Sequence, residues 1–251
     1  MIMTPLDFQN WQYSVEKDIY NKAREWGLTS KKLKAIADGV ADAEAYLSSS
    51  PKVAWIGKEP YDRKDSNGNP CGGNWSLTEG FINTEDWLKA IPTWKNVIYT
   101  MYGLRNGLHY WDKEMPYVNN NMGDVMRSIA WINLSKMPNK PNSSDYTFAD
   151  MYRKHWKETV MKQLVFYKPD VLIFCNTFSI CYSDLFPTGS EPIEVPVPDK
   201  YIIKYPNPIL RAFKRGNQLF LDAYHPGARF NEEKRGDYVD SIIDTVRTYF
   251  K

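Results

Sequence analysis

Three short apolar runs without polar interruption punctuate the chain, at residues 53–56, 129–132 and 171–175. Runs of this length bounded by turn formers read as buried strands. Around them the apolar spacing lengthens to the helical period, over residues 11–26, 30–47, 148–167 and 232–249. Residues 85–105 read as a further helix interrupted near Pro92, and 124–129 and 178–185 as short ones. Thr29 or Ser30 can cap the helix at 30–47, and the Ser-Ser-Ser-Pro run at 48–51 ends it. Runs at 209–213 and 219–221 flank Lys214-Arg215-Gly216-Asn217 and suggest a hairpin. Residues 65–70 and 139–145 are dense in turn formers, 187–198 is proline-rich and extended, and 108–121 has no clear period. Continuous apolar strands alternating with helices predict a parallel sheet covered on both faces. The expectation is one α/β domain over 1–251, with helices within 1–50 packed on it.

Composition narrows the class. With 251 residues, 43% of them hydrophobic, the chain can bury a sizeable core. It has no long uncharged apolar run, so no membrane span is predicted. Residues 1–12 lack the basic-then-apolar order of a secretory signal. Cys71, Cys175 and Cys181 are odd in number and lack Cys-x-x-Cys spacing. That argues against a disulfide framework, a structural zinc site or a four-cysteine iron–sulfur cluster, and suits a reducing cytoplasm. A net charge of +2 is too mild to declare a nucleic-acid partner. The acid-free stretch 200–215, with five cations, reads by itself as a solvated face. The 15% aromatic share offers stacking surfaces, most of which core packing would take.

The chemistry gathers where apolar runs stop. The first gives way at Gly57 to Lys58-Glu59-Pro60-Tyr61. Pro60 biases Glu59 away from helix, so a carboxylate sits on a stiffened loop at a strand's carboxyl end. The second run ends in Asn133, and the last leads through Ala223-Tyr224 to His225-Pro226. In a parallel sheet these ends share one edge and can meet in one crevice. A carboxylate, a carboxamide and an imidazole, with Trp75 nearby, suit a planar heterocycle. Singly, each residue has an ordinary reading: Glu59 as a surface carboxylate, Asn133 as a strand-end cap, His225 as a structural imidazole, Trp75 as a roof on the core, Tyr61 as loop packing. Lys136 is expected in solvent. No Gly-x-Ser-x-Gly elbow marks a serine hydrolase, and Cys175, inside an apolar strand, makes a poor nucleophile.

Taken together and in order, these residues resemble the uracil-DNA glycosylase superfamily, its family 1 enzymes most of all. Gly57-Lys58-Glu59-Pro60-Tyr61-Asp62 is similar to that family's Gly-Gln-Asp-Pro-Tyr-His, with Glu in place of Asp. Gly72-Gly73-Asn74-Trp75-Ser76 resembles the Gly-rich step before the stacking phenylalanine, with Trp75 in its place. Trp131-Ile132-Asn133 resembles Leu-Leu-Asn, and Ala223-Tyr224-His225-Pro226-Gly227 carries the His-Pro of Ala-His-Pro-Ser. Order and rough spacing agree from residue 53 to about 250. Gly227 stands where the family has a phosphate-holding serine, and Ala228-Arg229-Phe230 stands where it has a Pro-Leu wedge.

The resemblance implies a three-layer α/β/α sandwich around a central, mostly parallel four-stranded sheet. It implies a monomeric base-excision repair enzyme that hydrolyses the N-glycosidic bond of uracil or a related damaged base in single- or double-stranded DNA. No metal or organic cofactor is implied. Glu59 and His225 would be catalytic; Lys58, Tyr61, Trp75 and Asn133 would bind the base; Ser76, Pro226, Gly227 and Arg229 would contact DNA. Arg229 or Phe230 would fill the gap left by a flipped base. The alternative is a catalytically silent relative that binds a nucleobase, nucleotide or nucleic acid without cleavage.

Overall fold

The computed structural model describes residues 3–83, 91–139, 147–205 and 208–250. Its strands, in chain order, are β1 (Ile36–Ala37), β2 (Gly39–Val40), β3 (Val53–Gly57), β4 (Arg63–Lys64), β5 (Pro70–Cys71) and β6 (Trp75–Ser76), followed by β7 (Ile129–Asn133), β8 (Val171–Cys175), β9 (Ile193–Val195), β10 (Leu210–Arg215) and β11 (Gln218–Ala223). Seven form one mixed sheet in the order β2-β7-β3-β8-β11-β10-β9. The four central strands, β7, β3, β8 and β11, run parallel, and antiparallel β2 on one side and β10 and β9 on the other extend them. The expected four-stranded sheet is therefore the centre of a wider one. Its edges escaped notice because β2 and β9 are two and three residues long, too short for a periodic signal.

Alternation along the parallel strands explains why both faces are apolar. Val53, Trp55, Ile129, Trp131, Val171 and Ile173 enter one core, with helices Pro92–Asn106 and Glu232–Tyr249. Ala54, Ile56, Ala130, Ile132, Leu172 and Phe174 enter a second core, with helices Pro5–Glu25 and Lys157–Tyr167. Successive side chains of a strand point to opposite faces, so a continuous apolar run marks a strand with both faces covered. The hairpin between β10 and β11 turns at Gly216, whose φ of 58° is one that glycine adopts without steric cost.

Residues 30–47 do not form the expected helix. β1 pairs with β6, β2 pairs with β7, and only Ala43–Leu47 is helical, capped by Asp42. Gly39 has φ 141°, and a Cβ there would lie 2.3 Å from Gln12 Oε1. Between the two strands Asp38 is fully buried and bonded to Lys136. This long-range polar anchoring overrides the local apolar spacing. Pro92, expected to interrupt a helix, instead occupies its first turn, where a missing N–H costs nothing. Residues 84–90 and 140–146, and with them the start of the expected 85–105 helix and most of the 139–145 loop, lie outside the described residues. Among those described, no helix is long and apolar enough to cross a membrane.

Candidate functional site

The carboxyl ends of β3, β7 and β11 open into a cavity of about 280 Å³ lined by Lys58, Glu59, Tyr61, Trp75, Asn133 and His225 among others. All six residues expected to perform chemistry or hold a base thus meet in one place. β3 and β7 are in register, with Gly57 opposite Asn133. A Cβ on Gly57 would lie 2.4 Å from Asn133 Oδ1, so only glycine lets the loop and the carboxamide approach this closely. Two residues on, Glu59 is 7% exposed, and the Tyr61 hydroxyl donates to its Oε1 at 3.4 Å. Burial, then the adjacent Glu59 carboxylate, raises the Tyr61 pKa, so the phenol keeps its proton.

Trp75 is held from behind. Its Nε1 donates to Asp62 Oδ2 at 2.8 Å, and the same oxygen accepts from Gly73 N at 2.7 Å. Both glycines before it have positive φ, 98° for Gly72 and 82° for Gly73. A Cβ on Gly72 would meet Asp62 Oδ2 at 2.3 Å, and one on Gly73 would meet the Lys34 carbonyl at 2.0 Å. The Gly-Gly step thus allows the Trp75 segment to fold against the Glu59 loop.

Asn133 is 2% exposed. Its backbone N–H donates to Asp38 Oδ2 at 2.8 Å, and its side-chain Oδ1 accepts from Trp131 Nε1 at 3.0 Å. Behind it, Lys136 Nζ donates to Asp38 Oδ1 at 2.6 Å, Asp38 Oδ2 at 2.8 Å and Gln163 Oε1 at 3.0 Å. Lys136, expected in solvent, is fully buried. Burial drives its pKa down while the Asp38 carboxylate opposes the shift. The strand end that carries the carboxamide therefore rests, through its backbone, on a buried ion pair.

His225 follows β11. Gly227 N donates to His225 Nδ1 at 3.0 Å, which leaves the ring proton of the neutral imidazole on Nε2. Burial, reinforced by the Lys58 ammonium, pushes the His225 pKa down to about 4. At neutral pH the residue is an uncharged hydrogen-bond donor. Asn96 Nδ2 donates to the Pro226 carbonyl at 2.6 Å and fixes this turn to the helix Pro92–Asn106.

The positions expected to grip DNA are placed less uniformly. Ser76 does not face outward: it is 1% exposed, and its hydroxyl joins Glu16 Oε1 at 3.0 Å and Thr78 Oγ1 at 2.7 Å. β6 pairs with β1 beneath the first helix, which carries Glu16, so the expected DNA contact at Ser76 is corrected to an internal one. Pro226 is buried, and Gly227 packs against Thr93. Arg229 is exposed, whereas Phe230 packs on Tyr238 with ring centroids 5.1 Å apart. Thr93, Trp94 and Trp131 also line the cavity and were missed from sequence. Trp94 and Trp131 meet edge to face at 4.4 Å, and their apolar surroundings mark them only as core residues. Burial pushes the Cys181 thiol up to about 12 and raises that of Cys175 further, so neither is a ready thiolate. Among the described residues no group of three or more His, Cys, Asp or Glu side chains is arranged to hold a metal ion.

The comparisons with known proteins leave the site to be read from its own chemistry. No protein-family model matches the chain, and no curated protein matches it.

Proposed function

We propose that the cavity takes up a nucleobase, and that the protein hydrolyses the N-glycosidic bond of uracil or a related damaged base in DNA. The fold in this reading is an α/β/α sandwich of the uracil-DNA glycosylase type. The observation that carries it is the convergence of Glu59, Asn133 and His225, from three parallel strands, on one cavity walled by Trp75. At about 280 Å³ the space falls just below the usual span of small-molecule sites (roughly 300–1,000 Å³), which suits a single small ring.

In this mechanism Trp75 stacks on the base and Asn133 hydrogen-bonds its edge. The C1′–N bond breaks with its electron pair going to the base, and water forms the new bond at C1′. The Glu59 carboxylate stabilises the cationic sugar and orients the water, accepting its proton or relaying it to solvent. Neutral His225 donates Nε2–H to the base oxygen where negative charge develops, and the Lys58 backbone N–H supports it. A neutral donor fits the low pKa of this ring. The departing base anion takes its proton from solvent. Tyr61, beside Glu59, narrows the space next to C5 and excludes a 5-methyl group.

The test is incubation with uracil-containing single- and double-stranded oligonucleotides, followed by alkaline cleavage at abasic sites. Wild type should produce such sites, and Glu59→Gln should slow the reaction by about 10²–10⁴-fold. Absence of abasic sites, with a control enzyme active, removes the uracil activity.

One observation favours a second reading, a relative that binds without cleaving. Two of the positions expected to contact DNA turn inward: the Ser76 hydroxyl to Glu16 and the Gly227 N–H to His225. Base or nucleotide binding that is indifferent to Glu59→Gln, with no turnover, would support it.

A further inference from the structure

Gly236, Asp240 and Asp244 recur every fourth residue on the helix Glu232–Tyr249 and so share one face. Residues 109–111, which show no clear period in the sequence, are strapped along that face. His109 Nε2 lies 2.6 Å from Asp244 Oδ1, and Tyr110 N donates to Asp240 Oδ1 at 2.7 Å. The Trp111 indole presses on Gly236, where a Cβ would lie 2.3 Å from its Nε1. The far end of the same excursion is tied to the helix Pro92–Asn106. Val118 N donates to the Tyr99 hydroxyl at 3.1 Å, and Lys95 Nζ donates to that of Tyr117 at 2.8 Å. Strap and helices enclose a cleft of about 490 Å³ lined by Lys95, Tyr99, Tyr110, Trp111, Tyr117 and Arg235 among others. Small-molecule sites span roughly 300–1,000 Å³, so the cleft has room for a ligand larger than a single ring.

Two cations converge here. The Lys95 bond first, and then the Arg235 charge, lower the pKa of the Tyr117 phenol. Arg235 is half-buried with its Nε out of solvent, and among the described residues its guanidinium makes no hydrogen bond or ion pair. A buried donor without an acceptor is rare, and the guanidinium fork matches a phosphate. Lys95 carries three donors, of which Tyr117 takes one. Beside these cations Trp111 is 58% exposed and Tyr117 76%. Open aromatic surface next to cations suits a ligand that joins a planar ring to an anion. Glu232, exposed at the rim, offers an acceptor to a sugar hydroxyl or a base amino group. We propose that this cleft is a second ligand site that takes up a nucleoside phosphate, its phosphate bound by Arg235 and Lys95 and its base stacked on Trp111. The site is separate from the first cavity. Thr93 lines that cavity and Lys95 this cleft, and residues two apart on a helix do not face each other. Binding here involves no covalent step, so it holds whether or not the first cavity cleaves a glycosidic bond. A free nucleotide and one unit of a nucleic-acid strand present the same chemistry to the cleft.

Deoxyadenosine monophosphate, deoxyadenosine and inorganic phosphate serve as probes, titrated by calorimetry into the full chain. Wild type should bind the nucleotide at least about tenfold more tightly than either fragment. Arg235→Gln should weaken the nucleotide at least about tenfold and leave deoxyadenosine unchanged. Arg235→Lys, which keeps the charge and loses the fork, should recover part of the affinity. Trp111→Ala should weaken the nucleotide and leave phosphate unchanged, and an equal loss of both removes the stacking role. If Arg235→Gln does not fold, Lys95→Gln carries the test, since the only bond it breaks among the described residues is to the exposed Tyr117. The single-stranded tetranucleotide of deoxyadenosine separates the two sources. Binding tighter than that of the mononucleotide marks a strand, and equal or weaker binding marks a free nucleotide. A nucleotide affinity that neither cation variant changes, or that phosphate alone equals, overturns the proposal. So does nucleotide binding that is lost in Trp75→Ala and kept in Arg235→Gln, which would put the ligand in the first cavity. Absence of abasic sites alongside the expected nucleotide pattern removes the uracil activity and leaves the second site standing.

Discussion

Asp62 Oδ2 accepts a 2.8 Å hydrogen bond from the indole of Trp75, tying the aromatic wall of the cavity to the loop that carries Glu59. Between the two residues the β4–β5 hairpin reverses the chain, and the two glycines that follow it, Gly72 and Gly73, both have positive φ. The carboxylate that ends the Gly57–Asp62 motif therefore acts through Trp75, as a buttress for that aromatic wall.

Removing that buttress should loosen the wall more than the fold. Asp62→Ala deletes the acceptor of three N–H groups, the Trp75 indole, Gly73 N and Arg63 N. Hydrogen bonds to a charged group are worth about 1.5–3 kcal/mol. Binding of a base or of a uracil-containing oligonucleotide should weaken about tenfold or more. Asp62→Asn, which keeps an acceptor oxygen, should recover most of the affinity. Equal titration curves for wild type and Asp62→Ala would show that Trp75 stands without the bond.

His225 makes stability depend on pH in a defined window. Its ring stays neutral in the folded protein down to about 4, against an ordinary value of 6.5 in the unfolded chain. Between those values the unfolded state binds more protons, so this contribution is complete above about 6.5 and is lost as pH falls toward 4. Urea denaturation at pH 7 and pH 4.5 should show a larger loss for wild type than for His225→Gln, which cannot take up the proton. Equal losses would mean that the ring is protonated as easily in the folded protein as in the unfolded one.

The cavity was legible in the sequence because its chemistry follows interruptions in apolar runs. Gly57-Lys58-Glu59, Asn133 and Ala223-Tyr224-His225 each stand just past buried strand residues, and a parallel sheet brings such ends to one edge. What supports those residues was not legible. Asp38 lies within a segment whose spacing suggests a helix, and its partner Lys136 is of a type almost never fully buried unless paired. Neither the pairing nor the two-residue strands around Asp38 leave a periodic trace. Ser76 turns inward for a related reason: its hydroxyl is claimed by Glu16 of the first helix, which lies outside the residues that carry the resemblance.

The Asp38–Lys136 pair should respond asymmetrically to mutation. Lys136→Met leaves the Asp38 carboxylate buried and without its counter-ion, which costs about 3–5 kcal/mol. The double variant Asp38→Leu with Lys136→Met removes both charges and should be more stable than Lys136→Met alone. It should still bind ligand poorly, because the Asn133 backbone N–H loses its acceptor. Thermal unfolding and base binding measured on wild type, Asp38→Leu, Lys136→Met and the double variant separate the effects. Additive losses of stability would mean that the two charges do not interact.

Gly227 and Thr93 should be coupled. A Cβ on Gly227 would lie 2.4 Å from Thr93 Oγ1 and 3.1 Å from His225 Nδ1, the atom that accepts the Gly227 N–H. A serine side chain fits this place only if the Thr93 hydroxyl and the His225 ring give way, so the glycine and a threonine at position 93 are linked. Gly227→Ala alone should destabilise by about 1–3 kcal/mol, as over-packed sites do. It should also weaken binding by displacing the imidazole. Thr93→Ala should cost little stability, since among the described residues no hydrogen bond from its side chain holds the turn, which Asn96 ties down. Combining the two substitutions removes the closer clash and leaves the 3.1 Å contact, which a shift of a few tenths of an ångström relieves. The double variant should therefore be more stable than Gly227→Ala and recover part of its binding. A double-mutant cycle with no interaction energy would place the cost of Gly227→Ala at the His225 ring instead.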